Sequence, residues 1–125
     1  MKLTVDAPPT ANIIRGYSPE GFRIGTRDCV GSVIVSATTL IENWRPRAMA
    51  ELDIADLEPA LALEPEVLLI GSGTRQVFPG AALLAALYGS KIGFEVMATG
   101  AACRTYNVML SEGRVVAAAL LLERR

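Results

Sequence analysis

Hydrophobic and polar positions change their period once along the chain, near Trp44. Before that point, short runs rich in Ile, Val and aromatic residues ("NIIRGY", "GFRIGT", "GSVIVSAT") are separated by Gly and Pro. Runs of this kind predict strands, because β-branched and aromatic side chains suit a pleated, half-buried surface. Asp28, Cys29 and Gly31 predict a turn before the third run, and "TTLIENW" predicts a further strand or sheet edge that Pro46 interrupts. The first ten residues, "MKLTVDAPPT", read as an extended lead-in, since Pro8 and Pro9 preclude helix.

After Trp44 the period lengthens. "DIADLEPALA" sets Ile54, Leu57 and Leu61 at helical spacing with acids in the first turn, and Pro59 predicts a kink or a split into two short turns. "PEVLLIG" is a continuous apolar run, the pattern of a strand buried on both faces of a parallel sheet. "AALLAALYGSKI" predicts a helix on which Ala81, Leu84, Ala85 and Tyr88 share a face. "GFEVMAT" predicts a strand, "MATGAACRTYNVMLSEGR" a helix and "VVAAALLL" a last buried strand. Strand, helix, strand, helix, strand over 66–122 builds a layered α/β sheet, to which the N-terminal β segments add strands or a small ribbon. A length of 125 residues, 51% of them hydrophobic, makes one domain over 1–125 the expectation.

Composition narrows the chemistry. The chain has no histidine, which removes Ser-His-Asp and Cys-His nucleophile activation, histidine-ligated zinc and imidazole proton shuttles from within one chain. Twelve basic against 13 acidic residues give a net charge of −1, no general electrostatic reason to bind nucleic acid or an anionic membrane. Cys29 and Cys103 form no CxxC pair and no disulfide framework; the ordinary reading is two reduced, buried thiols. No apolar run approaches the length of a membrane span and no signal-type segment is legible, so a soluble, cytoplasmic protein is expected. No metal-ligand set and no cofactor motif appears.

Two stretches carry candidate binding groups. Gly71, Ser72, Gly73, Thr74 and Arg75 follow the most regular buried strand and precede a helix, where α/β folds cradle anions on backbone N–H groups. The glycine spacing fits neither GxGxxG nor a P-loop, so a plain strand-exit turn is the competing reading. Thr99 is positioned as an N-cap, with small residues after it. On the following helix Ala102, Cys103, Tyr106, Met109 and Leu110 form an apolar stripe, and Arg104, Asn107 and Ser111 the opposite one. Arg104 near a helix N-terminus stands at the unfavourable end of the dipole, which an anion would offset. If strands 67–70 and 94–97 are parallel, the loops after them emerge at one sheet edge, and Ser72, Thr74, Arg75, Thr99 and Arg104 share a crevice. Lys91, Glu95 and Glu112 are the remaining acid or base groups, with no recognisable spacing. Trp44, Phe78 and Tyr88 read as core or partner-surface residues, and with the high apolar content they make a homo-oligomer an expectation.

"VLLIGSG", Pro79, "GFEVMATGAACRTYNVMLSEGRVVAAAL" and, earlier, "GFRIGTRDCVGSVIVS" with Trp44 resemble the small conserved domain family of largely unknown function that includes the mitochondrial complex I assembly factor with this single domain. The resemblance spans about 13–122, and the Thr-x-x-Ala-x-Arg-Thr-Tyr-Asn run is its most specific part. It implies a three-layer fold with a mixed central sheet, flanking helices and an extra N-terminal β layer. It also implies a non-catalytic part in the biogenesis of membrane or respiratory complexes, with a protein partner. No family catalytic residue exists to carry over. The positions matching the motif are Gly71, Gly73, Pro79, Thr99, Ala102, Arg104, Thr105, Tyr106, Asn107 and Arg114, while Ala98 and Cys103 fall where the family varies, which weakens a thiol mechanism. The two functional expectations are therefore a binding or assembly module, and an enzyme or sensor for a small phosphorylated or carboxylated molecule at 71–75 and 99–104.

Overall fold

A computed structural model describes residues 11–123. In chain order the elements are β1 (Ile14–Ser18), β2 (Gly21–Ile24), β3 (Arg27–Cys29), β4 (Ser32–Ser36), β5 (Leu40–Trp44), a 3-10 turn (Met49–Glu51), α1 (Ile54–Leu61), β6 (Val67–Gly71), α2 (Ala81–Gly89), β7 (Gly93–Met97), α3 (Thr99–Ser111) and β8 (Val116–Leu120). The predicted lead-in, 1–10, lies outside the described residues. β5, β4, β8, β6 and β7 form the main sheet in that order, and β1, β2 and β3 form a separate antiparallel sheet. β6 is parallel to both β7 and β8, while β8 is antiparallel to β4, so the main sheet is mixed.

One parallel crossover runs from β6 to β7 through α2 and the next returns from β7 past β6 to β8 through α3, so a right-handed path for each puts α2 and α3 on opposite faces. Adjacent strand residues point to opposite faces, so each buried run feeds two cores. On one side Leu68, Ile70, Ala117, Ala119 and Leu121 pack with Trp44, Leu57 and Leu87 under α1 and α2. On the other, Leu69, Val33, Val35, Ala118 and Leu120 pack with Ala102, Cys103, Tyr106 and Leu110 of α3 and with Ile14, Phe22, Ile24 and Cys29 of the small sheet. This is the three-layer α/β arrangement with an extra N-terminal β layer.

Two local expectations are corrected. Asp28 and Cys29 belong to β3, where Cys29 pairs with Phe22, so the turn expected before the third run is confined to the bend at Gly31 (φ 73°), and an earlier reversal stands at Gly25 and Thr26. Gly25 supplies the positive φ (61°) for that reversal. Pro59 does not split the helix. α1 continues through it, held at its start by a capping box in which Asp53 accepts from Ala55 N–H and Asp56 accepts from Asp53 N–H, and along its length by the buried Leu57 and Ala60. On α2, Leu87 is the buried residue, and the face that carries Ala81, Ala85 and Tyr88 is exposed, Tyr88 to 71%.

Candidate functional site

The loop after β6 and the start of α3 do meet, as parallel strands require, and they meet by closing on each other. Ala98, not Thr99, is the N-cap of α3. Thr99 is the first helical residue, fully buried, and its hydroxyl accepts from Gly73 N–H and donates to the Leu121 carbonyl, both at 2.8 Å. Its own N–H donates to the Gly73 carbonyl. One threonine thus ties together the β6 loop, the α3 start and the chain leaving β8. Gly71 permits the approach, because a Cβ there would stand 2.9 Å from Thr99 Oγ1. Ser72 is buried too; its hydroxyl donates to the Arg75 carbonyl at 2.6 Å and accepts from Val77 N–H at 2.9 Å, shaping the loop from within.

An anion already sits on this loop. Thr74 donates both its N–H (2.6 Å) and its hydroxyl (2.8 Å) to Glu123 Oε1. Gly73 stands at φ 110°, a conformation side chains rarely adopt, and a Cβ there would lie 2.5 Å from that same carboxylate oxygen and displace it. The two Thr74 hydrogen bonds, with a smaller contribution from Arg75, hold the Glu123 carboxyl below its usual range. Glu123 escapes sequence reasoning because it has no periodic or spacing relation to the loop 49 residues before it.

Arg104 faces a different depression, about 230 Å³, lined also by Arg15, Tyr17, Gly100, Cys103 and Asn107. Arg75, Ser72 and Thr74 do not line it. Burial pushes the Cys103 thiol up to about 12, with nearby Arg104 opposing only in part. The phenol of Tyr17 is raised as well, first by burial and then by Cys103 and Glu123.

The rest of the motif fastens α3 to the small sheet. Asn107 Oδ1 accepts from Ile14 N–H at 3.0 Å while its Nδ2 donates to the Ile14 carbonyl at 2.7 Å, so one amide acts as a neighbouring strand toward β1. Asn107, on the polar stripe by helical period, therefore lies under β1. Tyr106, fully buried, donates to the Asn12 carbonyl at 2.7 Å, and Asn12 Nδ2 in turn donates to the Ser36 and Thr39 carbonyls. Ala102 is buried and Thr105 half-buried in the same contact zone, and Pro79 is buried just ahead of α2. Arg114 lies at the opposite end of the sheet, beside a depression of about 310 Å³ with Leu63, Pro65 and Val115.

Lys91, Glu95 and Glu112 are all exposed. Lys91 and Glu95 line one groove of about 700 Å³ between α2 and β7, with Phe78, Leu84, Tyr88 and Phe94, and Glu112 is not part of it. Trp44 is core, its indole N–H donating to the Asp56 carbonyl, whereas Phe78 is 62% exposed. Among the described residues no three Cys, Asp or Glu side chains come together to hold a metal, and no helix is long and apolar enough to cross a membrane.

Comparison with known proteins places this geometry. A family model described as "Protein of unknown function (DUF498/DUF598)" matches residues 14–121. Among curated relatives, a Danio rerio protein named NADH dehydrogenase (ubiquinone) 1 alpha subcomplex assembly factor 3 is 34% identical over 111 residues, covering 87% of this chain and 63% of the relative. The chain thus spans about three-fifths of that relative's length. Among solved structures, a Bordetella parapertussis protein matches with a TM-score of 0.81 at 31% identity, covering 90% of this chain and 96% of that one. A Bartonella henselae protein, described as an outer membrane protein, matches with a TM-score of 0.76 at 32% identity over 93% of this chain and 98% of that one. Loop, motif helix and both sheets all fall within the matched residues, and the chain belongs to the DUF498/DUF598 family.

Proposed function

We propose that this protein is a non-catalytic binding module that assists the assembly of membrane or respiratory complexes, acting from the cytoplasmic side through protein contacts. The observation that carries the reading is where the motif's polar groups go. Ser72, Thr99, Tyr106 and Asn107 are hydrogen-bonded to the protein's own backbone, Gly73 N–H donates to the Thr99 hydroxyl, and the loop's donors at Thr74 hold the protein's own carboxylate. The one thiol in that region is held protonated by burial, which removes the thiolate that a nucleophile needs. Between α2 and β7 a groove presents exposed Phe78 and Tyr88, the kind of surface that marks interaction sites. The assembly role named for the Danio rerio relative points the same way.

Deleting the gene in its own organism and resolving solubilised membranes on native gels tests the proposal. The expected result is a lowered yield of one or more assembled complexes with subunit transcripts unchanged, restored by the intact gene. Unchanged complexes together with loss of a soluble enzymatic activity would overturn it.

A second reading, a small-anion binder, rests on Arg15 and Arg104. Both line the 230 Å³ depression, and neither has a carboxylate partner among the described residues. Phosphate or a small dicarboxylate raising the melting temperature of the wild type, and not of Arg104→Ala, would favour this reading over a pure scaffold.

A further inference from the structure

At the end of the main sheet away from the β6 loop, four segments of chain converge: the β4–β5 turn, the α1–β6 link, the end of α3 and the start of β8. They wall the depression of about 310 Å³ beside Arg114. Hydrogen bonds fix each wall. In the β4–β5 turn Ser36 N–H donates to the Thr39 carbonyl and Thr39 N–H to the Ser36 hydroxyl, while Asn12 Nδ2 donates to the carbonyls of both residues. α3 ends at Gly113, whose φ of 76° turns the chain so that Gly113 N–H donates to the Leu110 carbonyl and Arg114 N–H to the Met109 carbonyl. Glu66 and Val115 bind each other twice, Glu66 N–H to the Val115 carbonyl and Val115 N–H to Glu66 Oε1. A concavity held open in this way spares an occupant the cost of ordering its walls.

The floor is apolar. Leu110, Val116 and Ala117 are almost fully buried beneath it, and Leu63 and Pro65 form the side toward α1. The charge on the rim has one sign. Arg114 is exposed there, and its guanidinium has no hydrogen bond or ion pair among the described residues. Glu66 is engaged by Val115 N–H, and Glu64 and Glu112 do not line the depression.

An occupant has to answer both features. A compact dianion such as phosphate would pair with Arg114 and leave the apolar floor in water; a neutral hydrocarbon would cover the floor and leave the guanidinium unpaired. An aliphatic chain that ends in one carboxylate does both, removing the floor from water and giving the planar guanidinium a planar acceptor for two N–H donors. The volume stands near the lower end of the roughly 300–1,000 Å³ of ligand pockets, which suits a short chain.

We infer that this depression binds a small aliphatic monocarboxylate, its chain on the floor formed by Leu110, Val116 and Ala117 and its carboxylate on Arg114. The site shares no lining residue with the Arg15–Arg104 depression or with the α2–β7 groove, so it is a separate small-molecule site on a module that acts through protein contacts.

Amide NMR titrations of the full chain with sodium octanoate, with 1-octanol and with acetate test this. Octanoate is expected to give saturable shifts centred on Leu63 and residues 115–117. Octanol, which has the chain without the charge, and acetate, which has the charge without the chain, should each bind at least about tenfold more weakly. Arg114→Gln replaces an exposed side chain and keeps the fold; it should weaken octanoate at least about tenfold and leave octanol within about twofold of its wild-type affinity. Any one of four results would overturn the inference: no saturable shift at those amides up to about 5 mM octanoate, shifts centred instead on the α2–β7 groove, octanol or acetate binding as tightly as octanoate, or octanoate binding equally to wild type and Arg114→Gln.

Discussion

Replacing Asn107 with alanine isolates what the motif does. The side-chain amide supplies both hydrogen-bond partners of Ile14, a residue only 5% exposed, at 3.0 Å to its N–H and 2.7 Å to its carbonyl. Alanine leaves one backbone donor and one acceptor unpaired at the junction of α3 and β1. Each buried group left without a partner costs about 1–3 kcal/mol, and partial water access at this rim brings the sum to roughly 2–3 kcal/mol. For a domain of this size that is a fall in melting temperature of about 6–15 °C. Urea unfolding followed by the fluorescence of buried Trp44 reads the change as a lower midpoint at unchanged slope. Asn107→Asp should also destabilise, since it keeps the acceptor for Ile14 N–H but turns a carboxylate toward the Ile14 carbonyl. Arg104→Ala, one turn away and exposed, should stay within about 0.5 kcal/mol of wild type. An Asn107→Ala protein as stable as Arg104→Ala would refute the assignment of this amide as a structural tie.

Three further outcomes follow from the same geometry. Thr99→Val keeps the shape but loses both hydroxyl hydrogen bonds in a fully buried site, so urea titration should show a loss of about 2–3 kcal/mol. The Glu123 carboxyl is depressed in the folded state, so its contribution is present above the usual carboxylate range and disappears as pH falls through the lower folded value; melting curves should show a smaller acid-side loss in Glu123→Gln than in wild type. Cys103 runs the other way: with its thiol pushed up to about 12, the folded state holds a proton that the unfolded state releases near pH 9, so stability falls as pH climbs from 9 toward 12, and Cys103→Ala should lessen that alkaline loss.

The order of elements was legible because each strand run is bounded by glycine or proline and the buried runs of β6 and β8 stand out from their polar flanks. The apolar stripe of α3 was equally plain: Ala102, Cys103, Tyr106 and Leu110 are all buried as spaced. What failed depends on contacts distant in sequence. Helical period assigns Asn107 to the polar side, but it reports distance from one core and knows nothing of a second sheet laid over the helix flank. α2 is apolar on every side, so its period does not say which face is covered, and the face with Tyr88 is the open one. Thr99 has the residue type of a cap, yet its hydroxyl finds Leu121 and Gly73, partners that only the sheet order brings near. Glu123, which fills the loop that glycine and threonine marked out, carries no local signal at all. The candidate anion loop was thus correctly placed on the sheet, while its internal occupant was out of reach of the sequence.

The measurement that bears most directly on the account is an amide NMR titration of the intact protein with inorganic phosphate at neutral pH. With Thr74 engaged by Glu123 and Gly73 by Thr99, the account predicts no saturable movement of the Gly73 and Thr74 amides. Shifts confined to Gly100 and Arg104 would leave the loop assignment standing and support the separate arginine-lined depression. Saturable shifts at Gly73 and Thr74, with Glu123 released from Thr74, would contradict the claim that the protein's own carboxylate and backbone close this loop.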